Sequence, residues 1–216
     1  MQIALFGGRF DPVHNGHMAI AEEVLRAVPS VDEVWLMPDN HHHWNPTAAS
    51  FADRLAMLRL VENHPALNGR GRIKASDLGY KVSQKREGMT VTIDVIRALQ
   101  GSPEFVHEVA TSTPSPRNDR SNTYIFIAGS DQLPRLSEWH DYEELHMRLP
   151  FLIFPRIGYQ TSGELPFGCM WLSDKEFYPI NDSATAVRKR LEKGESISDL
   201  VPKSVEAYIR KNGLYQ

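Results

Sequence analysis

Short unbroken apolar runs take turns with longer stretches of helical period along this chain. Residues 3–6 are apolar and end at Gly7-Gly8, which predicts a buried strand. Met18, Ile20, Ala21, Val24 and Leu25 fall on one side of a helix over 16–28, stopped by Pro29 and Ser30. Residues 34–37 read as a second strand, followed at once by Pro38. Phe51, Leu55, Leu58 and Val61 are spaced for a helix over 51–61. A third strand is predicted over 73–78 and a helix over 91–99 that closes at Gly101. Residues 124–128 carry the strongest strand pattern. A helix over 138–147, a strand over 151–154 and a short strand over 170–172 follow, then closing helices over 183–193 and 203–212.

Strands that alternate with helices require right-handed crossovers, so the fold class is α/β: a doubly wound parallel sheet covered on both faces, three layers αβα. Ligands in such sheets sit beyond the carboxyl ends of the strands. Chemistry is therefore expected just after Phe6, Met37, Leu78 and Ala128. Residues 107–122 are polar, punctuated by proline and without hydrophobic period, and predict a mobile surface loop. Residues 68–72 predict a turn. With no internal repeat and no second core, residues 1–216 read as a single domain.

Composition narrows the function. A net charge of -3 promises no basic face against a phosphate backbone, so nucleic acid is not an expected partner, though a local basic pocket for a small anion is compatible. The one cysteine, Cys169, can form no internal disulfide, which fits a reducing compartment. No stretch approaches the ~20 apolar residues of a membrane span. The run over 3–6 is too short for a signal peptide and no basic segment precedes it. The expectation is a cytoplasmic protein with small-molecule substrates and no membrane partner; a homo-oligomer stays open.

Two segments carry candidate chemistry. The first, Gly7-Gly8-Arg9-Phe10-Asp11-Pro12-Val13-His14-Asn15-Gly16-His17, links the first strand to the first helix. Its glycines let backbone amides approach an anion, and a helix start offers unpaired N–H groups and a positive dipole end. His14 and His17 are three apart, on one side of a first helical turn, where two imidazoles could donate to a triphosphate. The second is Asn181-Asp182-Ser183-Ala184-Thr185-Ala186-Val187-Arg188. Ser183 or Asp182 would cap a helix, and Thr185 and Arg188 would share one of its faces as a second phosphate clamp.

These paired segments, Gly-Gly-x-Phe-Asp-Pro-x-His-x-Gly-His and Ser-x-Thr-x-x-Arg, resemble the signatures of the His-x-Gly-His nucleotidyltransferase superfamily, whose fold is Rossmann-like. Over most of its length the chain is most similar to the bacterial nicotinate-nucleotide adenylyltransferase family. Thr90-Val-Thr92-Ile-Asp resembles that family's Ser-Tyr-Thr segment, Gly129-Ser-Asp131 its Gly-x-Asp stretch, and Trp139 its tryptophan. The stretch from Leu191 to Tyr215 resembles its C-terminal helices. The resemblance implies that Gly7, Gly8 and Phe10 line an ATP site, that His14 and His17 hold the triphosphate with His17 nearest the reacting phosphate, and that Ser183, Thr185 and Arg188 grip it from the opposite side. His14, His17 and Arg188 would be catalytic. Asp131 would face a ribose, and Thr92 and Trp139 would hold a pyridine ring. ATP and nicotinate mononucleotide would be substrates, with Mg2+ carried by the phosphates.

That chemistry needs no strong general base, because an acceptor phosphate is already ionised near neutral pH; catalysis reduces to positioning and charge stabilisation. The chain departs from the family after its second strand, where Asp39-Asn40-His41-His42-His43-Trp44 replaces a proline-proline-His-basic segment. His42 and His43 are possible phosphate contacts there. Adjacent side chains of an extended segment point to opposite sides, so no metal site is expected from the three histidines. Val91 stands in place of a tyrosine, and His140 where a second aromatic often follows the tryptophan. Nicotinamide mononucleotide, or another phosphorylated acceptor such as phosphopantetheine, remains an alternative. A non-catalytic nucleotide-binding protein on the same fold, or an RNA-binding protein, are readings of another class.

Overall fold

The computed structural model describes residues 1–40, 48–62, 72–85, 92–101, 122–160, 162–172 and 183–216. The elements run β1 (Gln2–Gly8), α1 (Asn15–Ala27), β2 (Val31–Pro38), α2 (Phe51–Arg59), β3 (Ile73–Ala75), α3 (Leu78–Lys85), α4 (Thr92–Leu99), β4 (Thr123–Gly129), a 3-10 helix (Ser130–Glu138), α5 (Tyr142–Arg148), β5 (Phe151–Phe154), β6 (Cys169–Trp171), α6 (Ala184–Glu192) and α7 (Lys203–Lys211). The strands form one sheet in the order β3-β2-β1-β4-β5-β6, every neighbouring pair parallel.

Alternation along the strands creates the three layers. Ala4 and Phe6 of β1, Val34 and Leu36 of β2, and Ile125 and Ile127 of β4 pack on one side, against Met18, Ala21, Val24, Leu58, Val187 and Val205 from α1, α2, α6 and α7. Ile3, Leu5, Trp35, Met37, Tyr124 and Phe126 face the other side, against Leu78, Val82, Ile93, Ile96 and Leu145 from α3, α4 and α5. Each fully buried Leu or Ile contributes roughly 1.5–3 kcal/mol, and a one-residue slip of a central strand would exchange its two faces. Register is therefore tightly held.

Several predicted boundaries shift, β2 for one beginning at Val31 rather than at 34, and two of the shifts have a plain local cause. The strand predicted over 73–78 ends at Ala75; Ser76 Oγ accepts from the amide of Leu78 at 3.3 Å and turns the chain into α3, so Leu78 opens a helix rather than ending a strand. The helix predicted over 138–147 starts late, at Tyr142, because Asp141 adopts φ 51. Ahead of it runs the 3-10 helix that holds Pro134, which has no N–H to donate. The predicted loop over 107–122 lies outside the described residues except for Asn122, as does the predicted turn over 68–72 except for Arg72.

Sequential strands run outward from β1 to β3, and the chain then returns to place β4 on the other side of β1. The order reverses between β1 and β4, and a crevice opens at the carboxyl ends of these two strands.

Candidate active site

That crevice is a cleft of about 850 Å3. Its floor is the end of β1. A Cβ on Gly7 would lie 3.1 Å from the Phe126 ring, a tight contact that the ring would have to yield to. Phe10 turns the chain with φ 48, and its buried ring packs edge-on against Phe6 at 5.6 Å.

His14 and His17 form the start of α1 as N-cap and third helical residue. Their rings lie 3.7 Å apart, and the His17 ring also meets Phe10 at 4.7 Å. The backbone N–H of His14 donates to His17 Nδ1 at 3.3 Å, so a neutral His17 carries its proton on Nε2. Burial, and then the positive charge of Arg156, push His14 down to about 4. Burial, His14 and Arg156 depress His17 well below the usual histidine range. Both imidazoles are neutral donors near pH 7.

This has a consequence for stability. In the unfolded chain these histidines titrate near 6.5. As pH falls below that value the unfolded state takes up protons that the native state refuses. Stability is fully present above about pH 6.5 and is lost progressively down to the folded value of about 4. For His14 alone the loss is about 3 kcal/mol. Urea unfolding at pH 7, 5.5 and 4.5 should show the decline, and His14→Gln should flatten it. An equal decline in the variant would contradict the assignment.

Asp11 ties the first motif to distant parts of the chain. Its buried carboxylate accepts from the amides of Ala48 and Ala49 at 2.8 and 3.0 Å and from the Tyr215 hydroxyl at 2.9 Å. Its carbonyl accepts from Arg188 Nη1 at 2.6 Å, and Arg188 Nη2 donates to Thr185 Oγ1 at 3.3 Å. Ser183 is the N-cap of α6; its Oγ accepts from the Ala186 amide at 3.1 Å. The two sequence motifs, 177 residues apart at this bond, thus meet on one wall of the cleft. Arg54, fully buried, donates to the Arg9 carbonyl at 2.6 Å and the Asp39 carbonyl at 2.8 Å, stapling the chain after β1 to the chain after β2.

The opposite wall rises from β4 and α4. Thr92 opens α4 and lines the cleft. Half-buried Trp139 stands edge-on to Phe126 at 5.8 Å and Phe151 at 6.0 Å, so its ring is fixed by the core and still borders the cleft. Asp131, just after β4, accepts from Gln132 Nε2 at 2.8 Å and from Arg156 Nη1 at 3.2 Å.

The cytidylyltransferase-like family profile matches residues 5–190. A probable nicotinate-nucleotide adenylyltransferase of Oceanobacillus iheyensis is 33% identical over 216 residues, covering 99% of this chain and 96% of the relative. That of Salinibacter ruber is 33% identical over 222 residues, covering 100% of this chain and 98% of its own. The chain belongs to the nicotinate-nucleotide adenylyltransferase family. Its fold is also that of Plasmodium falciparum nicotinic acid mononucleotide adenylyltransferase complexed with NaAD, with TM-score 0.75, 21% identity, and coverage of 99% of this chain and 97% of that one.

Within this family member the structure brings Gly7, Gly8, Phe10, His14, His17, Thr92, Asp131, Trp139, Ser183, Thr185 and Arg188 to one cleft. His42 and His43 lie outside the described residues, as do Val91 and Asp182. Sequence reasoning missed Arg156, the Asp11 hub and Arg54. Arg156 had a legible signal, since it follows a predicted strand end, Phe154, at the sheet's carboxyl edge. Among the described residues no group of three His, Cys, Asp or Glu could hold a metal ion. The Asp11 carboxylate is already filled by two amides and a phenol, and imidazole nitrogens suit magnesium poorly.

Proposed function

We propose that this chain transfers the adenylyl group of ATP to nicotinate mononucleotide, giving nicotinate adenine dinucleotide and pyrophosphate. The observation that carries this reading is the junction of the two phosphate motifs, His14 and His17 with Arg188, at one end of a cleft whose other wall holds Trp139 and Thr92. An oxygen of the acceptor phosphate attacks the α-phosphorus in line. The bond from that phosphorus to the α–β bridging oxygen breaks, and pyrophosphate leaves with the electron pair. No proton must be removed, so the site needs positioning and charge stabilisation rather than a base. His17 donates from Nε2 to an oxygen of the reacting phosphate, His14 sits behind it, and Arg188 with the amides at the start of α6 grips the remaining phosphates. Magnesium arrives on the triphosphate, whose oxygens are the hard ligands it prefers. Among the described residues no helix is long and apolar enough to cross a membrane. We place the chain in the cytoplasm, as one domain, where its substrates would be.

Trp139 supplies an aromatic face for the pyridine ring, worth on the order of 1 kcal/mol. With ATP and nicotinate mononucleotide supplied together, mass analysis should find the dinucleotide. Trp139→Ala should raise KM for the mononucleotide about fivefold while KM for ATP stays within twofold. No dinucleotide from the wild-type chain would overturn the reaction. Equal changes in both constants would overturn the acceptor pose.

A further inference from the structure

Arg156 belongs to neither motif, yet it lines the same cleft. It follows β5 after Pro155, and its backbone N–H is pinned to Ser130 Oγ at 2.9 Å. Its aliphatic stem passes close over the end of β4 at Gly129. A Cβ on Gly129 would fall 2.8 Å from Arg156 Cδ and would collide with Asp131 Oδ1. The backbone of Arg156 is thus anchored beside the end of β4. The side chain is 51% exposed, and its guanidinium meets the Asp131 carboxylate through one bond at 3.2 Å.

A second cation beside Arg188 would add charge stabilisation for departing pyrophosphate. His14 and His17 are neutral, so they donate hydrogen bonds without adding charge. Arg188 is anchored through Nη1 to the Asp11 carbonyl and through Nη2 to Thr185, and its other N–H groups remain for phosphate. Negative charge grows on the bridging oxygen as pyrophosphate departs. Arg156 already lies close enough to both histidines to oppose their protonation. A half-exposed ion pair such as Arg156 with Asp131 is weak and is readily exchanged for a charge-assisted bond to phosphate.

We propose that Arg156 is a further catalytic residue, whose guanidinium leaves Asp131 for the polyphosphate of ATP and stabilises the departing pyrophosphate. This rests on the adenylyl-transfer reading above. The exchange leaves Asp131 with the Gln132 amide and a bound ribose hydroxyl as donors. The bonds made and broken are those of the transfer already described; Arg156 takes no proton and gives none.

The test uses the full chain with Arg156→Gln and Arg156→Lys. The glutamine variant should release pyrophosphate about 100-fold more slowly at saturating substrates, and should bind inorganic pyrophosphate at least tenfold more weakly by calorimetry. Lysine should restore part of the rate, and added guanidinium at millimolar concentration should raise the rate of the glutamine variant but not of the wild type. A structural residue would show no such rescue. By NMR titration, His14 should protonate at higher pH in the glutamine variant. Rates and pyrophosphate affinity within twofold of wild type would overturn the inference alone. A wild-type chain that turns over no acceptor would overturn the reaction, and the catalytic role with it.

Discussion

Replacing His17 with alanine is expected to lower kcat for pyrophosphate release by about 100- to 1000-fold, the effect of deleting one preorganised donor to a developing negative charge. The argument is one of tautomer and aim. His17 Nδ1 is occupied by the His14 backbone N–H at 3.3 Å, which leaves the Nε2 proton for the reacting phosphate. Because the ring also packs on Phe10 and His14, alanine would open a small void as well, and two further variants separate these effects. His17→Gln places an amide donor near the Nε2 position and should recover about tenfold, or ~1.4 kcal/mol of barrier. His17→Asn can replace the Nδ1 acceptor but does not reach as far, and should stay as slow as alanine. Steady-state rates checked against circular dichroism would decide it; asparagine as active as glutamine would mean that His17 only caps the helix.

The second large effect is expected at Arg188. Arg188→Ala removes a cation and both of its bonds, to the Asp11 carbonyl and to Thr185. We expect kcat/KM for ATP to fall by about 100-fold or more and stability to drop by about 1.5–3 kcal/mol, since a hydrogen bond to a charged group is lost and the Asp11 carbonyl is left without its donor. Lysine keeps the charge but cannot span two acceptors as a guanidinium fork does, so Arg188→Lys should recover only part of either loss. Stability that falls with an unchanged rate would assign Arg188 to the fold alone.

Much of this was legible in the sequence because the informative features are local. The glycines after β1, the histidines three apart and the Ser-x-Thr-x-x-Arg turn each declare a strand end or a helix start within a dozen residues. The layers followed from period, and the reversal between β1 and β4 then placed the cleft. What stayed hidden depends on contacts between distant residues. Nothing near Asp11 in sequence says that Ala48, Ala49, Tyr215 and Arg188 will converge on it. Arg54 looks like the polar face of an amphipathic helix, yet it is fully buried, and desolvation lowers its basicity. The run over 73–78 reads as one strand because nothing in its hydrophobic pattern reveals the Ser76 turn. Trp139 reads either as core or as site; the structure packs its edge on Phe126 and Phe151 and leaves the ring bordering the cleft.

Acceptor choice lies at the heart of the account and can be read directly. Pyrophosphate release should be followed with MgATP and, in turn, nicotinate mononucleotide, nicotinamide mononucleotide and phosphopantetheine. The account predicts release with nicotinate mononucleotide at a kcat/KM at least tenfold above that with nicotinamide mononucleotide, and none with phosphopantetheine. Equal or greater release with nicotinamide mononucleotide or phosphopantetheine, or no release with any of the three, would contradict it.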